Sequence, residues 1–208
     1  MPAVAPPDGV EAIAIANALR QGLEVPDELF DRVFPKPLRP RSELHWTPVD
    51  VARAAATLLV PARRVLDVGA GVGKACLVGV LTSPAVWVGV ERDPELVAAG
   101  NAAAAALGVD HRARLVQGEL AIADWSRFDG FYLYNPFGEA LLATDDPLRR
   151  RAEWTAEVEL VERRLAAARP GTRVVTYHGF GGRLEGAYAQ VSMQVLRESE
   201  LVLWVRQG

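Results

Sequence analysis

The sequence predicts an α/β fold: a doubly wound, mostly parallel seven-stranded sheet with a C-terminal antiparallel hairpin and an N-terminal helical lid. Three observations predict it. Short apolar runs alternate with helical patterns between residues 63 and 178, and such alternation implies parallel strands joined by crossover helices. A glycine-rich turn, Gly69-Ala70-Gly71-Val72-Gly73, separates the first of these runs from its helix. Two β-rich runs near the C-terminus are joined by Glu198, Ser199 and Glu200 alone, too short a link for a crossover and right for a hairpin.

The elements follow in order. Residues 9–20 carry apolar side chains at helical spacing, with Asp8 as a candidate cap. Residues 26–34 read as a second, short helix, after which Pro35, Pro37 and Pro40 break regular structure. Thr47 reads as the cap of a helix running through Leu59, with Pro48 in its first turn. Strands are expected at 63–68, 85–91, 113–117, 130–134 and 172–178. Helices are expected at 74–81, at 94–107, where Ala-rich sequence ends at Gly108, and at 149–168. Residues 191–197 and 201–206 form the hairpin.

The bulk numbers are those of a globular domain. The chain has 208 residues, half of them hydrophobic, and a net charge of −3, so nothing attracts it globally to nucleic acid or to an anionic membrane. The clusters Arg39/Arg41 and Arg149–Arg151 read as solvated faces. Cys76 is the only cysteine, which excludes an intrachain disulfide and fits a reducing, cytoplasmic setting. Residues 1–7 lack the basic and apolar regions of a signal peptide, and no run approaches the ~20 apolar residues of a membrane span. His45, His111 and His178 share no metal-ligand spacing with one another or with Cys76, so no metal is expected.

The chemistry concentrates in Val65-Leu66-Asp67-Val68-Gly69-Ala70-Gly71-Val72-Gly73-Lys74. Glycines at such a strand–turn–helix junction let the backbone turn sharply and leave room for a ligand. A phosphate-binding loop needs G-x-x-x-x-G-K-[ST]. Here Ala75 follows Lys74, and Val68 stands at the first glycine position. The dinucleotide fingerprint G-x-G-x-x-G fits at Gly69 and Gly71 but meets Lys74 at its third glycine. Asp67, just before the turn, suits a cation better than a pyrophosphate. S-adenosylmethionine, which has an ammonium and a sulfonium and no phosphate, satisfies that preference.

Asp67-Val68-Gly69-Ala70-Gly71-Val72-Gly73 resembles the first motif of class I S-adenosylmethionine-dependent methyltransferases. The resemblance implies that Gly69, Ala70, Gly71 and Gly73 pack against the methionine part of the cofactor, with Asp67 organising that end. Val88-Gly89-Val90-Glu91-Arg92 is similar to the second motif, which implies Glu91, with Arg92 beside it, at the ribose. A carboxylate there accepts both hydrogen bonds of a diol, although the same placement would serve NAD. Gln117-Gly118-Glu119 is similar to the third motif and implies Gly118 and Glu119 near the adenine, with Leu120 offering an apolar face. Asp124, next to Trp125, competes with Glu119 for the adenine amino group.

Asn135-Pro136-Phe137 resembles the Asp/Asn/Ser-Pro-Pro-aromatic motif of N-methyltransferases, with one proline where that motif has two. It is also similar to a shortened version in class I lysine methyltransferases. The resemblance implies that Asn135 and the Pro136 carbonyl accept hydrogen bonds from the target nitrogen while Phe137 stacks on it. Asn135 is also expected against the cofactor. Ser42-Glu43-Leu44-His45-Trp46-Thr47-Pro48 is similar to the segment that covers the cofactor in amino-methyltransferases, which implies contacts from Trp46 and Thr47. Cys76 reads as core, and His178 as a possible wall of the acceptor pocket.

The expectation is therefore an N-terminal extension or lid over residues 1–45 and a methyltransferase domain over 46–208. It would use S-adenosyl-L-methionine to methylate a protein side chain, a small molecule or RNA, with neither long duplex DNA nor a membrane expected as a partner. An NAD(P)-dependent oxidoreductase and a non-catalytic S-adenosylmethionine-binding partner protein are the alternatives.

Overall fold

The structure, a computed structural model, describes residues 9–136, 146–184 and 186–208. Its centre is a seven-stranded sheet in the order β3-β2-β1-β4-β5-β7-β6. The strands are β1 (Arg64–Val68), β2 (Val86–Glu91), β3 (Ala113–Gln117), β4 (Gly130–Tyr134), β5 (Arg173–Tyr177), β6 (Tyr188–Leu196) and β7 (Ser199–Arg206). The first five run parallel; β7 lies antiparallel to β5, and β6 antiparallel to β7. The helices are α1 (Gly9–Arg20), α2 (Asp27–Phe30), α3 (Ser42–His45), α4 (Val49–Leu59), α5 (Lys74–Thr82), α6 (Pro94–Ala106) and α7 (Pro147–Ala166).

The two central strands, β1 and β4, are buried almost throughout. That is why their sequences are mostly apolar rather than alternating, with Asp67 the buried exception in β1. On one face, α4, α5 and α6 cover Trp87, Tyr132 and Val175. On the other, Val158, Val161 and Leu165 of α7 cover Leu66, Phe131 and Val174. Ala12, Ile15, Ala16 and Leu19 of α1 join the first of these layers. After β1 the chain winds to β2 and β3, then crosses to β4 and β5 on the other side. Winding reverses between β1 and β4, and open α/β sheets take ligands at the carboxyl ends of the strands flanking such a reversal. Among the described residues, no helix is long and apolar enough to cross a membrane.

Two local expectations are corrected. Thr47 does not cap α4. The helix starts at Val49 after an extended Pro48, the Val49 N–H donates to Asp27 Oδ1 at 2.8 Å, and the Thr47 hydroxyl lies 3.1 Å from the Tyr132 phenol. A distant carboxylate outcompetes the local hydroxyl because the segment carrying Asp27 folds back over α4. The hairpin link is also shorter than expected. Arg197 and Glu198 make the turn, with φ of 48° and 66°, and the strands extend to Leu196 and from Ser199. β6 begins early, at Tyr188, because its first residues pair with Arg206 and Val205 rather than following any apolar pattern of their own.

Candidate functional site

β1 delivers the chain into a turn whose glycines 69, 71 and 73 have φ of 69°, 56° and 72°. The turn is anchored to both neighbouring strand ends. Toward β2, the Ala70 N–H donates to the Val90 carbonyl at 3.0 Å, and the Gly71 N–H donates to Glu91 Oε2 at 2.9 Å. Toward β4, a Cβ placed on Gly69 would lie 2.9 Å from Pro136 Cβ. A Cβ on Gly71 would meet nothing within 4 Å, so this stretch of backbone borders open space.

The two carboxylates are held differently. Asp67 is buried, and the Cys76 thiol donates to it at 3.4 Å. Burial pushes the Asp67 carboxyl up to about 7; the Cys76 hydrogen bond opposes this, and the charge of nearby Glu91 adds to it. Glu91 is partly exposed at the end of β2. Its Oε1 accepts the N–H groups of Arg92 and Asp93 at 2.8 and 2.9 Å, while Oε2 takes Gly71. Backbone donors thus fix the carboxylate before any ligand arrives.

Asp67, Gly69 and Ala70 line a crevice that is walled by His45, Trp46 and Thr47 and flanked by Lys74 and Tyr134. Trp46 is buried and packs edge-on against Phe34, ring centroids 4.9 Å apart. The enclosed space is about 20 Å³, room for about one water.

Farther along the sheet edge, the Gly118 N–H donates to the Glu91 carbonyl at 3.0 Å. Glu119 is exposed, 3.6 Å from an Arg92 guanidinium that also binds Glu157 at 2.8 Å. Leu120 is buried with Trp125, whose indole N–H donates to the Leu120 carbonyl. Asp124 caps its own turn through Ser126 N–H and Oγ, and the Ser126 hydrogen bonds hold its carboxyl below the ordinary range. Glu119, by contrast, caps nothing.

At the end of β4, Tyr134 is half-buried against Tyr177, ring centroids 5.1 Å apart. Asn135 is exposed and left-handed at φ 36°, its N–H donating to the Gly179 carbonyl at 3.1 Å. Phe137 lies outside the described residues. His178 is exposed and tied to the hairpin, its Nδ1 2.5 Å from Ser199 Oγ.

The fold therefore brings Trp46, Thr47, Asp67, Gly69 and Ala70 into one crevice, sets Pro136 against its glycine turn with Asn135 next to it in the chain, and strings Glu91, Arg92, Gly118 and Glu119 along the adjoining edge. Sequence reasoning missed two groups. Cys76 does sit in the core, but it also holds Asp67. Lys74, noted only as a misfit to the dinucleotide pattern, is buried against Asp27 and Asp31. The i,i+4 spacing of those two acids, and a lysine opening a helix, were the available signals.

No known family profile and no curated protein matches this chain. Solved structures do. One is an RNA methyltransferase from Salinibacter ruber in complex with S-adenosyl-L-homocysteine: 23% identical, covering 83% of this chain and 92% of that one, TM-score 0.53. Another is an O-methyltransferase family protein from Burkholderia thailandensis: 14% identical, 88% and 60% covered, TM-score 0.55. A third is TrmN from Thermus thermophilus: 17% identical, 80% and 52% covered, TM-score 0.59. With its seven-stranded mixed sheet, the chain has the fold of class I methyltransferases.

Proposed function

We propose that this fold serves S-adenosylmethionine-dependent methylation, with nitrogen as the acceptor atom. One observation carries the proposal. The glycine turn and the Asn135-Pro136 segment meet at the winding reversal, with Pro136 packed on Gly69, so a methyl donor on the turn would face an acceptor held by Asn135.

The residues present suit this cofactor. The crevice floor offers the carboxyl of Asp67, and the adjoining edge offers those of Glu91 and Glu119. The lysine that flanks the crevice is matched by Asp27 and Asp31, leaving it no charge to spare for a pyrophosphate. That balance favours a cationic, phosphate-free nucleoside over NAD(P). The enclosed space admits only a small end group, so the ammonium end would enter it beside Asp67. The ribose and adenine would then lie along the open rim, toward Glu91 and Glu119.

When bound, the cofactor supplies an electrophilic methyl group on sulfur. The chain's own residues do the rest. Glu91 accepts the ribose hydroxyls, Trp46 and Thr47 shield the methionine end from water, and Asn135 accepts hydrogen bonds from the acceptor N–H groups. This last contact turns the nitrogen lone pair toward the methyl, which is catalysis by positioning. The nitrogen sheds its proton after attack, so no strong base is needed. The left-handed Asn135 fits such a role, since backbone outliers cluster at functional sites. The acceptor is a protein side chain, a small molecule or RNA.

The test pairs transfer with binding. Radiolabelled methyl donor incubated with the protein and fractionated extract should label one fraction. Asn135→Ala should cut turnover at least about a hundredfold and leave S-adenosylhomocysteine affinity nearly intact. Equal loss of both would make Asn135 structural and defeat the assignment.

A further inference from the structure

Lys74 opens α5, where the positive end of the helix dipole disfavours a cation. Its side chain is nonetheless only 1% exposed. The ammonium lies 2.8 Å from Asp27 Oδ1 and 2.6 Å from Asp31 Oδ1, and donates to Ser42 Oγ at 3.3 Å. The Ser42 hydroxyl in turn donates to Asp31. All three partners belong to the segment that leads directly into Trp46 and Thr47, the crevice wall.

The network extends outward. Asp27 also takes the Val49 N–H and pairs with Arg197 Nη1 at 2.8 Å, while Arg197 Nε pairs with Asp50 at 2.9 Å. Burial alone would raise the Asp27 carboxyl; Lys74, Val49 and Arg197 outweigh it and hold that carboxyl below its ordinary value. The start of α5, the N-terminal segment, the start of α4 and the hairpin tip are thus joined beside the crevice.

We propose that Lys74 is a positioning residue: through Asp27 and Asp31 it holds Trp46 and Thr47 closed over the crevice and thereby sets the rate at which a nucleoside enters and leaves. This rests on the cofactor reading above and adds its regulation. The space behind this wall is about 20 Å³, so the ammonium end of a nucleoside whose ribose and adenine lie on the open rim passes Trp46 and Thr47 to reach or leave Asp67, and a lifting wall speeds both. Lifting parts a buried cation from two carboxylates, and breaking a buried pair is costly because it strands a charge.

The test uses the full chain with Asp31→Asn, Asp31→Glu and Arg197→Gln. Without ligand, trypsin should cleave Asp31→Asn within residues 20–41 several-fold faster than wild type. In stopped flow, both association and dissociation of S-adenosylhomocysteine should quicken, dissociation about tenfold. Affinity should change less than either rate. A merely structural role would not give that signature, because damage to the site raises departure alone. Asp31→Glu, which keeps the charge, should restore slow exchange. Arg197→Gln, on the exposed rim of the network, should give the same pattern at about two- to fivefold, and it carries the comparison if Asp31→Asn does not fold. Wild-type proteolysis and wild-type exchange rates in folded variants would overturn the proposal. If the wild type does not bind S-adenosylhomocysteine at all, the cofactor reading fails, and the ligand-free proteolysis still judges the latch.

Discussion

Asp67 makes the site sensitive to pH at the scale of a single residue. Its carboxyl titrates near 7 in the folded chain against a reference value of 3.8, so the folded form holds the proton more tightly than the unfolded form. Its contribution to stability is therefore full below about pH 4 and is lost as the pH rises to about 7. A cationic ligand reverses the preference, because it pairs only with the ionised form. Cofactor affinity should fall as pH drops below about 7, and Asp67→Asn should flatten both profiles; calorimetry and denaturant melts across that range measure them. A wild-type affinity independent of pH would place the ammonium elsewhere. The glycines separate by the same reasoning. Both Gly69→Ala and Gly71→Ala incur the left-handed penalty of ~1–2 kcal/mol, but only Gly69→Ala also drives a methyl into Pro136. Melting should show Gly69→Ala as the less stable of the two, while Gly71→Ala should chiefly weaken cofactor binding. The sequence exposed Asp67, Gly69 and Gly71 because they fall within one short run. It did not expose the Cys76 contact, since an apolar helix position looks the same whether or not its thiol has a partner.

Among elements, the link between the segment just before α4 and β4 is the most informative. Thr47 and Tyr132 share a buried hydrogen bond across 85 positions of sequence. Tyr132→Phe would leave the Thr47 hydroxyl buried and unpartnered, costing ~1–3 kcal/mol in a denaturant melt. Adding Thr47→Val should recover part of that loss. Strictly additive losses would mean the two side chains do not interact. This pair shows what the sequence could not reveal. The central strands β1 and β4 were readable to within a residue because parallel strands buried on both faces are written as mostly apolar runs. Thr47 was misread as a cap because Ser/Thr before Pro is a local signal, whereas its real partner is set by tertiary packing. The early start of β6 was hidden for the same reason: Tyr188, Ala189 and Gln190 become strand through β7, not through their own pattern.

For the whole molecule, the topology places the chemistry. Reversal of the winding between β1 and β4 leaves a crevice there, and the segment before β1 folds back to cover it. Alternating strands and helices made the two-sided parallel sheet legible, but not which strands flank the reversal. The covering contacts were not legible either, because Asp27 and Asp31 meet Lys74 only once the chain has closed. A ligand that binds only the folded chain stabilises it by mass action, about 2.7 kcal/mol at a hundred times its dissociation constant. S-adenosylhomocysteine at that excess should therefore raise the melting temperature, and inorganic phosphate should not.

Calorimetric titration of wild type and Glu91→Ala with S-adenosylhomocysteine and with NAD⁺ tests the cofactor assignment most directly. The wild type should bind S-adenosylhomocysteine and not NAD⁺, and Glu91→Ala should lose ~1.5–3 kcal/mol for each ribose hydrogen bond removed. Binding of NAD⁺ in preference, or an affinity indifferent to Glu91, would contradict it.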